Sequence, residues 1–227
     1  MYRFNEYNLS TFYFLIGSKS NLLIDCGTGV EKIKDLIKQI DNKPYQVVAT
    51  HGHVDHIGGM NQFDEVYIHP DDISLAKQTT VLERKDYARR ILENQPIALF
   101  SLEQIKEEPT TAKLLSLKNH FVFDLGNHHL EVIYTPGHTN DSVTYYFKSE
   151  KTMFIGDFVF ENSIGRTDLP TGDYNKMVDS INLLKKYPDD ITLYPGHGNY
   201  TTIGIEKINN YWFYNINGSL SNSVGQQ

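Results

Sequence analysis

Thr50-His51-Gly52-His53-Val54-Asp55-His56 closes an apolar run that begins at Tyr45, and it leads into Ile57-Gly58-Gly59. Three imidazoles and a carboxylate so close together cannot all point to one spot from a regular strand, where side chains alternate between faces. In a turn they splay toward two adjacent points, which suits two metal ions. Histidine is the commonest metal ligand, and the chain holds nine of them. The plainer reading is a solvated polar loop. Three later segments argue against it: Tyr134-Thr135-Pro136-Gly137-His138-Thr139, Phe154-Ile155-Gly156-Asp157 and Tyr194-Pro195-Gly196-His197-Gly198. Each is an apolar strand ending in a Gly turn that carries a ligand type, a good way to present side chains from a rigid scaffold. Singly each is weak, and a lone Gly-His after a strand is usually structural. Jointly they complete a metal site.

The rest of the composition narrows the classes. At roughly 150 residues per domain, 227 residues allow one large domain or two small ones. Hydrophobic residues at 40% and charged residues at 22% are globular values. A formal charge of −7 argues against a broad basic face for nucleic acid or anionic lipid. The single cysteine, Cys26, excludes an intramolecular disulfide and a Cys-rich zinc site. The early apolar run Phe12 to Ile16 is too short for a signal peptide, and a membrane helix needs about 20 apolar residues. The expectation is a cytoplasmic protein with a small-molecule substrate and neither nucleic-acid nor membrane partners.

Pattern along the chain places the motifs. Thr11 to Gly17 and Asn21 to Asp25 read as a hairpin across Gly17-Ser18-Lys19-Ser20. Val30 to Ile40 has helical apolar spacing. Tyr45 to Thr50 and Glu65 to His69 read as strands. Asp71 to Lys118 is densely charged and predicts a helical insertion, with helices at Asp71 to Lys77, Val81 to Asn94 and Ser101 to Glu107. Strands return at His120 to Phe123, Leu130 to Tyr134, Ser142 to Phe147, Thr152 to Ile155 and Ile191 to Tyr194. Helices are predicted at Asp173 to Tyr187 and Ile203 to Tyr214, before a polar tail. The mix implies an α/β fold with two sheets and helices outside them, an αββα layering.

The series HxHxDH, Gly-His, Gly-Asp, Gly-His resembles the metallo-β-lactamase superfamily over about residues 10–205. The resemblance implies a four-layer αββα sandwich with a helical insertion around residues 71–118. It implies one such domain over 1–214 and a polar tail over 215–227. Residue by residue, it implies that His51, His53 and His138 bind a first metal. Asp55, His56 and His197 would bind a second, with Asp157 bridging. The resemblance implies a cysteine at the Asp157 position in a B1 or B2 β-lactamase and no bridging Asp in B3 enzymes, so the chain resembles the hydrolase branch and not the antibiotic-degrading one. Ser163-Ile164-Gly165-Arg166-Thr167-Asp168-Leu169-Pro170-Thr171-Gly172-Asp173 resembles the glyoxalase-II-like subgroup. Asn199 stands where glyoxalase II proper has a Tyr, Lys207 is the only Lys or Arg after His197, and Asn140-Asp141 replaces the commoner Pro-Gly.

The chemistry implied is attack by a metal-generated hydroxide. Two divalent ions about 3.5–4 Å apart share it and stabilise the oxyanion. Zinc is the expected metal, with iron as the alternative. Asp55 is the candidate catalytic residue, binding metal and accepting the proton. A thiolate leaving group needs little acid assistance, since its pKa is about 8.5, which favours a thioester or a similarly activated ester. Arg166 is a candidate substrate clamp, and Asp25, Thr50, Thr139 and Asp168 are candidates to orient ligands. His69, His120, His128 and His129 lack ligand spacing, and Cys26 reads as a buried, inert thiol. The insertion could cap the site or form a homodimer face. One rival is a persulfide dioxygenase with a single non-haem iron on His53, His138 and Asp157. Others are a phosphodiesterase or ribonuclease, which a charge of −7 disfavours, and a sensor without turnover.

Overall fold

Strand β2 (Ser10–Ile16) is buried along nearly its whole length, and the reason defines the architecture. A strand buried on both faces must lie in a sheet covered on both sides. Phe12 and Phe14 point to one side, where they meet Ile33 and Ile37 of a helix. Tyr13 and Leu15 point to the other, where they meet Leu130, Val132 and Tyr145 of a second sheet. The computed structural model describes residues 1–78, 81–92 and 112–214.

The first sheet runs β1 (Tyr2–Glu6), β2, β3 (Asn21–Ile24), β4 (Tyr45–Val48), β5 (Glu65–Ile68) and β6 (Lys113–Ser116) in spatial order. Its first three strands are antiparallel and β3 to β6 are parallel. The second sheet holds β7 (Val122–Asp124), β8 (His129–Tyr134), β9 (Val143–Phe147), β10 (Thr152–Gly156), β13 (Thr192–Pro195) and β14 (Thr201–Thr202), in the order β14-β13-β10-β9-β8-β7. A small hairpin, β11 (Val159–Phe160) and β12 (Ser163–Ile164), stands apart. Helix α1 (Ile33–Ile40) covers the first sheet. Helices α5 (Tyr174–Leu184), α6 (Ile203–Asn209) and α7 (Tyr211–Tyr214) cover the second through Met177, Ile181, Leu184, Ile203 and Phe213. The layers are therefore αββα.

Several elements differ from the sequence-based expectation for physical reasons. Helix α1 starts at Ile33, not Val30, because the Glu6 carboxylate accepts hydrogen bonds from the Thr28, Val30 and Glu31 amides and fixes a turn there. The polar loop at His51 contains one helical turn, α2 (Val54–Ile57). Within the charged insertion, α3 (Ile73–Gln78) and α4 (Val81–Leu92) are helical. Its end is not: Lys113–Ser116 is the edge strand β6, paired parallel to β5. The expected single C-terminal helix breaks at Asn210, whose side chain binds Ser163 O and Glu206 and accepts from the Trp212 amide. The helix expected at Ser101 to Glu107 and the polar tail lie outside the described residues. No helix among the described residues is long and apolar enough to cross a membrane.

Glu6 is 1% exposed, and its carboxylate also accepts from the Thr28 hydroxyl. Burial pushes its pKa up, and the donated hydrogen bonds oppose that. Glu6→Ala orphans three amides at once, and each unsatisfied buried donor costs about 1–3 kcal/mol. The expected loss is about 3 kcal/mol or more, read as a lowered urea midpoint at unchanged slope. A loss under about 0.5 kcal/mol, as for an ordinary surface change, would refute this role.

Candidate metal centre

The segments carrying the His and Asp residues emerge from the carboxyl ends of strands. His51 follows β4, His138 follows β8, Asp157 follows β10 and His197 follows β13. Helix α2 turns His53, Asp55 and His56 toward the same place. His51, His53 and His138 offer donor atoms within 4.8 Å of one another, and Asp55, His56, Asp157 and His197 form a second such set. Asp157 touches both: it lies 3.7 Å from His138 Nε2, 3.3 Å from His56 Nε2 and 3.5 Å from His197 Nε2. His197 Nε2 is also 2.9 Å from Asp55 Oδ2.

Glycines let these segments meet. A Cβ on Gly196 would lie 2.4 Å from His56 Cε1 and 2.6 Å from Asp157 Oδ1. Gly156 has φ +50°, and a Cβ there would lie 2.5 Å from Thr50 Oγ1. The Gly turns noted in the sequence thus clear space beside the donors as well as ending strands.

The ring nitrogens turned away from the centre are fixed. Asp25, 2% exposed, lies 2.8 Å from His56 Nδ1 and accepts from the Thr50 amide and hydroxyl. Thr50 Oγ1 lies 3.1 Å from His51 Nδ1. With Thr50 donating to Asp25, His51 Nδ1–H donates to Thr50, and the Nε2 atoms of His51 and His56 face inward. His138 Nδ1 lies 2.8 Å from Arg166 O. Such outer partners fix tautomer and orientation. The chain therefore has an Asp25-centred relay serving two imidazoles.

The inward atoms fit cations. The Nε2 atoms of His51 and His56 and Oδ1 of Asp157 are buried and lack hydrogen bonds. His138 Nε2 and His53 Nδ1 face each other at 2.9 Å. Burial holds His51 well below the usual imidazole range, and burial followed by His138 lowers His53 to about 4. These two are neutral donors. Burial also opposes charge on His197, yet Asp157 and Asp55 outweigh it and raise its pKa to about 10. The same coupling, through His56 and His197, keeps Asp55 and Asp157 ionised against burial. Protons on the second set thus stand where a cation would.

Among the other sequence candidates, Asp25 and Thr50 reach ligand rings. Thr139 instead pairs with Ser142, and Asp168 with Arg166. The Arg166 guanidinium, expected as a substrate clamp, is held bidentately by Asp168, 60% exposed at the cleft rim. His120 pairs with Glu131, His129 lies near Asp124 and His128 packs on Phe147, all away from the centre. Cys26 is buried and its thiol pKa is pushed up by that burial. One contact was not foreseen: Tyr87 of α4 places its hydroxyl 2.9 Å from Asp55 Oδ2 and 2.9 Å from Leu9 O. No local spacing links a tyrosine in the insertion to Asp55, so the sequence carries no signal for it. Helix α4 is further anchored by Arg84 on Gly58 O. It forms one wall of a cleft of about 1330 Å³, whose other lining includes Val54, Phe160, Ile164, Leu169 and Pro170.

Two adjoining sets of His and Asp donors at the strand ends of an αββα sandwich define a metal-dependent enzyme of the hydrolase-like kind. The chain belongs to the metallo-beta-lactamase superfamily, whose family profile matches residues 7–197. It is 28% identical over 203 residues to hydroxyacylglutathione hydrolase GloC of Haemophilus influenzae, covering 85% of this chain and 86% of that one. A crystal structure of TTHA1623 in a di-iron-bound form superposes with a TM-score of 0.70 at 27% identity, covering 89% of this chain and 94% of that one. The BLEG-1 B3 metallo-beta-lactamase structure also gives 0.70, at 30% identity, covering 90% and 94%.

Proposed function

We propose that the protein is a dinuclear metallohydrolase of small thioesters or similarly activated esters. In this reading His51, His53 and His138 would hold one divalent ion, Asp55, His56 and His197 would hold the other, and Asp157 would serve both. Zinc is the expected metal, and the di-iron form of TTHA1623 keeps iron as the alternative. The observation that carries the reading is the meeting of the two donor sets at Asp157. Two such ions supply a water ionised near neutral pH and a Lewis acid for the developing oxyanion.

The chain's own residues do the rest. Asp55 Oδ2, gripped by His197 and Tyr87, is the atom placed to take the proton of the attacking water. Water adds to the acyl carbon, the C–S bond breaks, and the sulfur leaves with the electron pair. Burial, followed by the Asp55 charge, pushes the Tyr87 phenol above its ordinary range, which makes it a weaker proton donor than a free phenol. A thiolate leaves without one. The apolar wall of Val54, Phe160, Ile164 and Leu169 suits an acyl chain. Similarity to GloC, a hydroxyacylglutathione hydrolase, supports the same bond type.

The test is a substrate panel on metal-loaded protein: acyl thioesters including a hydroxyacylglutathione, lactones, a β-lactam and a phosphodiester. Thioester kcat/KM is expected to exceed every other class by about tenfold or more, a difference of about 1.4 kcal/mol in transition-state stabilisation. Faster β-lactam or phosphodiester cleavage would overturn the reading. So would thiol-dependent oxygen uptake with one iron per chain, the mark of a persulfide dioxygenase.

A further inference from the structure

His69 lies outside the seven-residue centre but is not isolated. The turn after β5, residues 69–72, faces the loop that follows His138. His69 Nδ1 is 3.6 Å from Asp141 Oδ1. One donor atom from each of His69, Asp71 and Asp141 falls within 4.8 Å of the others. A separation of 3.6 Å is too long for a hydrogen bond. It matches the edges of the main centre, where imidazole nitrogens stand 3.3 to 3.7 Å from Asp157. Donors each about 2.1 Å from a shared tetrahedral ion lie about 3.4 Å apart.

Asp72 supplies an independent observation. It is 1% exposed, and neither of its carboxylate oxygens has a hydrogen bond. Asp141 is 4% exposed and its Oδ1 is likewise without one. Burial, followed by the Asp141 charge, pushes Asp72 up to about 8. Two buried carboxylates side by side share a proton unless positive charge lies between them. His69 does not supply it, since burial lowers its pKa and leaves a neutral lone pair. Lys176 donates instead to Asn140.

We propose that His69, Asp71 and Asp141 form a third cation site beside the buried Asp72, separate from the paired centre. Imidazole suits zinc and the later transition ions, whereas carboxylates suit manganese and magnesium. The mixed donor set therefore selects a divalent ion of the Mn²⁺ or Zn²⁺ type. The His69 lone pair now accepts a 3.2 Å hydrogen bond from the Asp71 amide, which the ion displaces. A bound ion ties the end of β5 to the loop that carries His138.

Equilibrium dialysis against Mn²⁺ or Zn²⁺, with metal counted per folded chain, tests this without reference to turnover. Wild type is expected to hold one ion more than Asp141→Asn, whatever the occupancy of the paired centre. His69→Gln is the second variant should Asp141→Asn fail to fold by circular dichroism, and it is expected to weaken the extra ion about tenfold or more. Equal counts in wild type and both variants up to about 1 mM free ion, the weak end for protein sites, overturn the proposal. A raised melting temperature in Asp141→Asn with no change in metal count also overturns it, because the pair then shares a proton.

Discussion

Asp157→Asn is expected to lower kcat/KM by about 10³-fold or more, at least about 4 kcal/mol of transition-state stabilisation, and to leave fewer than two ions per chain. Among the described residues, Asp157 is the one side chain whose oxygens lie near both donor sets, 3.3 Å from His56, 3.5 Å from His197 and 3.7 Å from His138. Its charge is held by His197 and His56 against burial. The amide keeps the shape but removes the charge, and it replaces one acceptor oxygen by an N–H₂ donor beside the nitrogens of His56, His197 and His138. Ion count by mass spectrometry and activity on the same sample check the result. Two ions retained with full activity would remove Asp157 from the bridge.

Asp25→Ala is the second large effect. Asp25 is buried and does not line the cleft. Its carboxylate nevertheless accepts from the Thr50 amide at 2.7 Å, the Thr50 hydroxyl at 2.8 Å and His56 Nδ1 at 2.8 Å. Removing one partner of a buried charged network costs about 3–5 kcal/mol. Loss of an outer partner to a metal-binding histidine costs about 10–100-fold in metal affinity. Both effects are expected, read as a lower denaturation midpoint and a weaker ion in competition with a chelator. Asp25 has φ +63°, a conformation that Asn tolerates. Asp25→Asn therefore keeps the backbone preference and is expected to recover part of the stability but not the affinity. Wild-type affinity in both variants would refute the relay.

The layers and the candidate centre were readable because their signals are local. The alternation of Phe12, Tyr13, Phe14 and Leu15 states that β2 is covered on both faces, and HxHxDH is contiguous. What stayed hidden depends on contacts distant in sequence. The late start of α1 is set by Glu6, more than twenty residues upstream. Strand β6 lies in a charged segment and pairs only with β5, so Leu114 and Leu115 read as part of the insertion. Arg166 was legible as a charged side chain at the cleft, yet its carbonyl is what meets His138. Every residue has a carbonyl, and sequence pattern does not say which will be used. Tyr87 reaches Asp55 only because α4 folds back over α2.

The donors come from both sheets: His51 leaves β4 of the first, and His138, Asp157 and His197 leave β8, β10 and β13 of the second. At the same end, backbone bonds join the sheets directly, from the Thr11 amide to Gly196 O and from the Val143 amide to Thr50 O. The centre therefore acts as a clasp across the sandwich. Ions bound there gain their full set of donors only when the two sheets are closed on each other, so escape of metal and parting of the sheets become one event. A filled centre would slow unfolding, because its donors must separate for the sheets to part.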